Sequence, residues 1–187
     1  SLIKNKNKSF SFLLKKNKTI KKNLKNRKCP NCNSSKSQKI LIKDNLKIVK
    51  CIKCKLVFVN PIFNFDYYFN TYKSKNYQKI MKDLGEKSHL YRVKRFGKER
   101  FEYLRNIVRK KKINLLDVGC STGFFIEYAQ LKGWKCEGLE LNPSAVAFGI
   151  KRKLNIIQKT LEEFKPSKKY DIVTMFDVLE HLPNPSK

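Results

Sequence analysis

Two cysteine pairs, Cys29-x2-Cys32 and Cys51-x2-Cys54, stand eighteen residues apart. Thiolates at that spacing suit a tetrahedral ion, because each pair sits on a tight turn and two turns together supply four ligands. Zinc is the metal such a set selects, held by Cys29, Cys32, Cys51 and Cys54. A closed four-thiolate shell has no open position for a substrate, so its expected role is structural. Two disulfides are the competing reading, but no secretion signal points to an oxidising compartment. Two redox pairs would each need a thioredoxin-like βαβ surround, and neither has one.

A second set of residues lies in "LLDVGCSTGFF", Leu115 to Phe125. Asp117 closes an apolar run, Gly119 lets a ligand approach bare backbone, and Gly123 lets a helix start pack closely. The dinucleotide fingerprint G-x-G-x-x-G is not met, since Ser121 occupies its middle position, and no Gly-Lys-Ser/Thr follows to make a phosphate loop. Glu140 ends the next apolar run, 23 residues after Asp117, where a carboxylate can accept both hydroxyls of a ribose. A third set, Asp177-x-x-Glu180-His181, has the i, i+3, i+4 spacing of one helical face and could include a general base. Cys120 and Cys136 read as small core or loop residues.

These groups need elements to hold them. "INLLDVG", "WKCEGLEL", "LNIIQ" and "YDIVTMFDV" read as strands, while "STGFFIEYAQLKG" and "NPSAVAFGIKRK" read as helices, with a further helix beginning at "LEHLPNP". Strands alternating with helices imply a parallel, doubly wound sheet. The expected fold is therefore α/β, a partial doubly wound Rossmann-like sheet preceded by a small zinc-ribbon module. "ILIKDNLKIVK" would be the hairpin that carries the cysteine turns. The expected boundaries are a basic, disordered tail over 1–28, the ribbon over 29–60, an aromatic and helical connector over 61–112, and the α/β region over 113–187. Within the connector, Leu90, Val93, Phe96 or Gly97, Phe101, Leu104 and Val108 recur at helical intervals, and its aromatics are expected to pack between the two modules.

The net charge of +28 over 187 residues combines 36 Lys with 7 Arg. Base readout and phosphate forks favour Arg, so the excess predicts non-specific attraction of polyanions more than a nucleic-acid substrate. No apolar stretch approaches a membrane span and no signal peptide is visible, which places the chain in the cytoplasm. The composition leaves the oligomeric state open. The chain starts at Ser and stops just past "HLPNP", which reads as a piece of a longer protein.

Residues 113–185 resemble class I S-adenosylmethionine-dependent methyltransferases through "LLDVGCSTGFF", "GLELNPSAV", "IIQKTLEEF" and "YDIVTMFDVLEHLPNP", nearest to the ubiquinone-type O-methyltransferases. The ribbon ahead, with "KCIKCKLVFVNP", is similar to bacterial methyltransferases associated with surface-polysaccharide or small-molecule biosynthesis. The resemblance implies that Asp117, Gly119 and Gly123 cradle the methionine end of the cofactor, with Cys120, Ser121 and Leu141 in the same pocket. It implies that Glu140 holds the ribose, that Leu161 and Glu162, after Thr160, border the adenine, and that Met175 or Phe176 sits beside the sulfonium. In ubiquinone-type relatives the stretch matching Asp177, Glu180 and His181 is linked to acceptor activation and a divalent metal. The position usually held by a middle glycine is Ser121 here. The implied activity is methyl transfer from S-adenosylmethionine to a small-molecule acceptor such as a sugar, lipid precursor or quinone-like compound. An RNA acceptor held by the basic tail and ribbon, or a non-enzymatic zinc-ribbon adaptor, are the alternatives. Such domains use seven strands and four are visible, so this piece is expected to bind cofactor without completing turnover.

Overall fold

The computed structural model describes residues 23–43, 46–182 and 185; of the expected tail, residues 1–22 lie outside the described residues. After β1 (Leu24–Lys25) come β2 (Ser37–Lys43), β3 (Leu46–Cys51) and β4 (Val57–Val59), and then β5 (Ile62–Phe63) pairs back onto β1. The β2-β3-β4 sheet is antiparallel, with Ile40 left out of register as a bulge. Val49 and Phe58 face each other across β3 and β4 and are buried with Cys29 and Cys51. Among the described residues those four form the buried cluster of the first unit, which runs to Thr71 and also takes in Leu182.

Helix α1 (Phe65–Lys73) follows. The second unit, Tyr72–His181, holds α2 (Lys75–Arg92), a single π turn (Val93–Gly97) and α3 (Lys98–Ile107). Ser74 starts α2 by accepting the Tyr77 N–H at 3.3 Å. Along this run the buried positions are Met81, Gly85, His89, Val93 and Gly97, one every four residues. An α-helix overshoots by about 40° in four residues, so such a stripe would wind away from its contact. The wider π turn takes up the excess and keeps the stripe on the core. Phe101, Leu104 and Val108 then continue it. The sequence pattern misplaced one position, because Leu90 is 61% exposed while His89 is buried; of the alternatives Phe96 and Gly97, it is Gly97 that lies inward, with Phe96 41% exposed. The expected connector over 61–112 is therefore not one element: from Tyr72 onward it belongs to the α/β unit and packs on its core.

The remaining elements are β6 (Asn114–Val118), α4 (Phe124–Leu131), β7 (Lys135–Leu139), α5 (Pro143–Lys151), β8 (Ile156–Ile157) and β9 (Ile172–Thr174). The sheet is parallel throughout, in the order β8-β7-β6-β9. The chain steps outward from β6 to β8, then returns to add β9 on the far side of β6. That reversal is the topological switch point at which doubly wound sheets open a ligand crevice beyond their carboxyl ends. One face carries the large core of Leu115, Phe124, Phe125, Ile126, Trp134, Val146 and their neighbours. On the other, Leu116, Val118 and Leu139 are covered by Ile157, Phe164, Tyr170, Met175 and Val178.

Candidate functional site

The turn after β6 lies at the switch point of the sheet. Gly119 has φ +72 and Gly123 φ +77, and a Cβ on Gly123 would come within 2.5 Å of Leu154 Cδ1. Both positions need glycine for backbone and packing alike, since a Cβ on Gly119 would run into Val178 Cγ2. Ser121 also adopts a left-handed conformation, at φ +55, which marks a strained residue. The turn is anchored to the neighbouring strand: Gly119 and Cys120 both donate to Leu139 O, at 2.8 and 3.1 Å.

Two carboxylates lie at adjoining strand tips. Asp117 is buried and accepts the Thr174 hydroxyl from β9 at 2.7 Å. Burial pushes its carboxyl up to about 7 despite that bond. Glu140 accepts the Ser121 N–H at 2.9 Å and those of Leu141 and Asn142 at 2.8 Å each. Burial raises its carboxyl while the three N–H groups oppose the rise. One side chain thus ties the β6 turn to the start of α5. Asn142 caps α5, accepting the Ala145 N–H at 3.0 Å, and donates to Tyr72 O at 3.1 Å.

Across the switch point, Phe176 stacks edge-on against Phe125 with centroids 5.7 Å apart, and Met175 packs on the opposite face of the sheet. Sequence reasoning missed two cations here. Arg92 lies 4.0 Å over the Phe124 ring and reaches toward the Ser121 and Thr122 hydroxyls at 3.4 and 3.5 Å. Arg100 lies 5.0 Å over Phe124 and 4.2 Å over Phe176, and pairs with Asp177 at 3.0 Å. Burial and the neighbouring Arg100 charge bring Arg92 down to about 10. Both belong to the helical run before β6, where a basic-rich sequence hides them.

Asp177, Glu180 and His181 do not share a helical face. Asp177 has φ +58, so the short 3-10 turn begins only at Leu179, and Arg100 draws the Asp177 carboxylate aside. All three are exposed. Leu161 and Glu162 are exposed as well; in that segment Glu163 does the structural work, accepting the Thr160 N–H at 3.0 Å while its own N–H donates to Thr160 Oγ1 at 3.1 Å.

The four ribbon cysteines converge. Their sulfurs all lie within 4.8 Å of one another, with Cys29–Cys54 and Cys32–Cys51 each at 3.5 Å. Zinc at its usual sulfur distance needs tetrahedral edges of about 3.8 Å, so the set fits that ion. The two turns are copies of one another. Cys29 O accepts from Asn33 N and Cys51 O from Lys55 N, at 2.9 and 3.1 Å. Cys29 N donates to Ser34 O and Cys51 N to Leu56 O, at 2.8 Å in both, and Asn33 and Lys55 are left-handed. The Leu56 N–H lowers Cys54 to about 6, whereas desolvation and the other sulfurs outweigh the Ser34 N–H and push Cys32 up to about 12. Four thiols so close cannot all ionise without a cation among them. Among the described residues this is the group whose ligand atoms gather within metal-binding reach.

A parallel sheet whose strand order reverses at β6, with a glycine turn and carboxylates on two adjoining strand tips beyond it, defines an α/β domain of the doubly wound class. The chain belongs to the methyltransferase-domain family, whose model matches residues 88–187. A ubiquinone biosynthesis O-methyltransferase of Rickettsia prowazekii is 30% identical over 111 residues, 54% of this chain and 43% of that protein. The Cronobacter sakazakii protein of the same name is 37% identical over 81 residues, 38% of this chain and 32% of its own length. The chain thus spans less than half the length of these relatives. The plantazolicin methyltransferase BpumL, solved with SAH, overlays with a TM-score of 0.42 at 20% identity, over 62% of this chain and 52% of that one. CalS10, an amino pentose methyltransferase from Micromonospora echinaspora solved with SAM, gives 0.37 at 23%, over 66% and 46%. No described helix is long and apolar enough to cross a membrane.

Proposed function

We propose that the α/β unit holds S-adenosylmethionine in the switch-point crevice and takes part in methyl transfer to a small-molecule acceptor. The observation that supports this best is the pair of carboxylates, Asp117 and Glu140, on adjoining strand tips around the bare turn at Gly119, in a chain of the methyltransferase-domain family. Glu140 would take the ribose hydroxyls, its carboxylate already oriented by three backbone N–H groups. Gly119, Cys120, Ser121 and Gly123 would admit the methionine portion, with Asp117 beneath and Leu141 at the rim. Arg92 and Arg100 put two guanidiniums beside this turn, and a carboxylate such as the one S-adenosylmethionine carries would relieve their mutual repulsion. Leu161 and Glu162 would flank the adenine, and Met175 or Phe176 the sulfonium. When bound, the cofactor supplies an electrophilic methyl group. The protein's part is alignment and exclusion of water. Where the acceptor is a hydroxyl, Asp177, Glu180 or His181 could take its proton.

We further propose that the ribbon holds one structural zinc ion. A second reading, with RNA as acceptor, draws on the net charge of +28 and the nine exposed lysines that run from Lys25 to Lys55. Calorimetry with S-adenosylhomocysteine tests the main reading. Binding that Glu140→Ala weakens by at least about tenfold, the loss of a hydrogen-bonded carboxylate, is the expected result. Equal behaviour of the two proteins would overturn it. RNA binding that persists at high salt would instead favour the second reading.

A further inference from the structure

His89 is almost fully enclosed, at 2% exposure, and has no part in the roles assigned above. Its Nε2 lies 2.8 Å from Glu127 Oε2 and its Nδ1 2.9 Å from Thr122 Oγ1. Glu127 is held in turn by Arg152, through Nε at 2.7 Å and Nη2 at 2.5 Å. Phe148 covers the imidazole with ring centroids 4.9 Å apart.

The direction of every hydrogen bond in this chain follows from chemistry. Arg152 lowers the Glu127 carboxyl, so Glu127 is ionised and can only accept. The imidazole therefore carries its hydrogen on Nε2. Burial lowers the His89 pKa against the pull of Glu127, which keeps the ring neutral at physiological pH. Nδ1 is then a bare lone pair, and the Thr122 hydroxyl must donate to it. Thr122 sits between Ser121, whose N–H donates to Glu140, and left-handed Gly123. The charged groups facing His89 are Glu127 on α4, Arg152 just past α5 and Arg92 on α2 itself. Arg92 offers Thr122 only donors. A proton on Nδ1 would reverse that bond: the Thr122 oxygen would accept from the ring, and its hydrogen, with donors on both sides, would lose its acceptor inside the fold.

We propose that His89 is a positioning residue which, through Thr122, fixes the turn Gly119–Gly123 in the shape that receives the cofactor, an inference that rests on reading this turn as the S-adenosylmethionine cradle. Neutral His89 gives the Thr122 hydroxyl its acceptor; protonated His89 takes that acceptor away, which strains the Thr122 end of a turn still anchored to Leu139 and Glu140.

Calorimetry with S-adenosylhomocysteine, run between about pH 5.5 and 8, tests it. Wild-type affinity is expected to fall on acidification. Asn at position 89 can place a carboxamide oxygen where Nδ1 stood and does not titrate. His89→Asn should therefore bind within about threefold of wild type at the upper end and lose less than wild type at the lower end. Thr122→Val, nearly isosteric, should lose roughly five- to tenfold at pH 8, and adding His89→Ala should cost nothing more. Thermal melting checks that each variant folds; if His89→Ala does not, His89→Asn and Thr122→Val decide. Asp117 titrates alike in all of them, so the difference between profiles belongs to His89. A wild-type pH profile in His89→Asn, or unchanged affinity in Thr122→Val, overturns the proposal and leaves the cradle standing. Absence of binding by wild type at every pH overturns the cradle and the proposal with it.

Discussion

Asp117 stands at a strand tip where burial costs its charge more than the Thr174 hydroxyl returns. With its carboxyl raised to about 7, the folded protein keeps a proton that the unfolded chain releases near the ordinary carboxylate value. Stability from this group is therefore present in mild acid and is lost as pH rises toward 7, at most by about 1.4 kcal/mol per unit. Asp117→Asn keeps an acceptor for Thr174 and removes the titration. Its melting temperature, compared with wild type from pH 4 to 7, is expected to gain steadily in the variant's favour. A constant difference would contradict the buried, protonated state. Asp117 and Glu140 were legible in the sequence because strand ends and glycines frame them. Thr174, 57 residues from Asp117, was not, nor were the roles of His89 and Arg92, whose partners in the turn lie 33 and 29 residues on. Side-chain pairs at such separations are made by the fold and leave no local spacing to read.

At the scale of elements, the βα alternation could be read because the strands were short apolar runs separated by helical patterns, the first two closed by Gly119 and Pro143, and β6 to β9 occupy those runs. The helical run before β6 was read in the right place with one position, Leu90, on the wrong face. Its four-residue stripe fits neither a straight α-helix nor a strand, and the π turn that reconciles it has no local sequence marker. The triad Asp177, Glu180, His181 failed for a related reason. Its spacing assumes a helix that left-handed Asp177 prevents from starting. Gly97 is where the π turn meets the core most closely. A Cβ there would stand 2.9 Å from Phe124 O and 3.0 Å from Tyr128 Cβ, and the first of these is backbone that cannot step aside. Gly97→Ala is therefore expected to destabilise the α/β unit by about 1–3 kcal/mol despite alanine's better helix propensity. Chemical denaturation measures it; a more stable variant would mean the helix can shift away from α4.

For the molecule as a whole, the two units draw stability from different sources. The α/β unit buries a continuous core on one face of its sheet and a second, smaller cluster on the other. Among its described residues the first unit buries Val49 and Phe58 together with Cys29 and Cys51. Two apolar side chains cannot offset the entropy of ordering three strands and two left-handed turns, so the ribbon needs a staple. Its copied cysteine turns place four sulfurs where zinc would supply one, and metal binding would then be the folding free energy of that unit. A strong chelator is expected to release one zinc ion per chain and to abolish amide-exchange protection at Val49 and Phe58. Protection at Leu115 and Leu116, in the core strand of the other unit, should stay within about a factor of two, since no cysteine ligand contributes to either cluster there. Cys51→Ser should reproduce the chelated state without chelator. Protection at Val49 that survives metal removal would show that the antiparallel sheet stands without its staple, and the cysteines would then need another role.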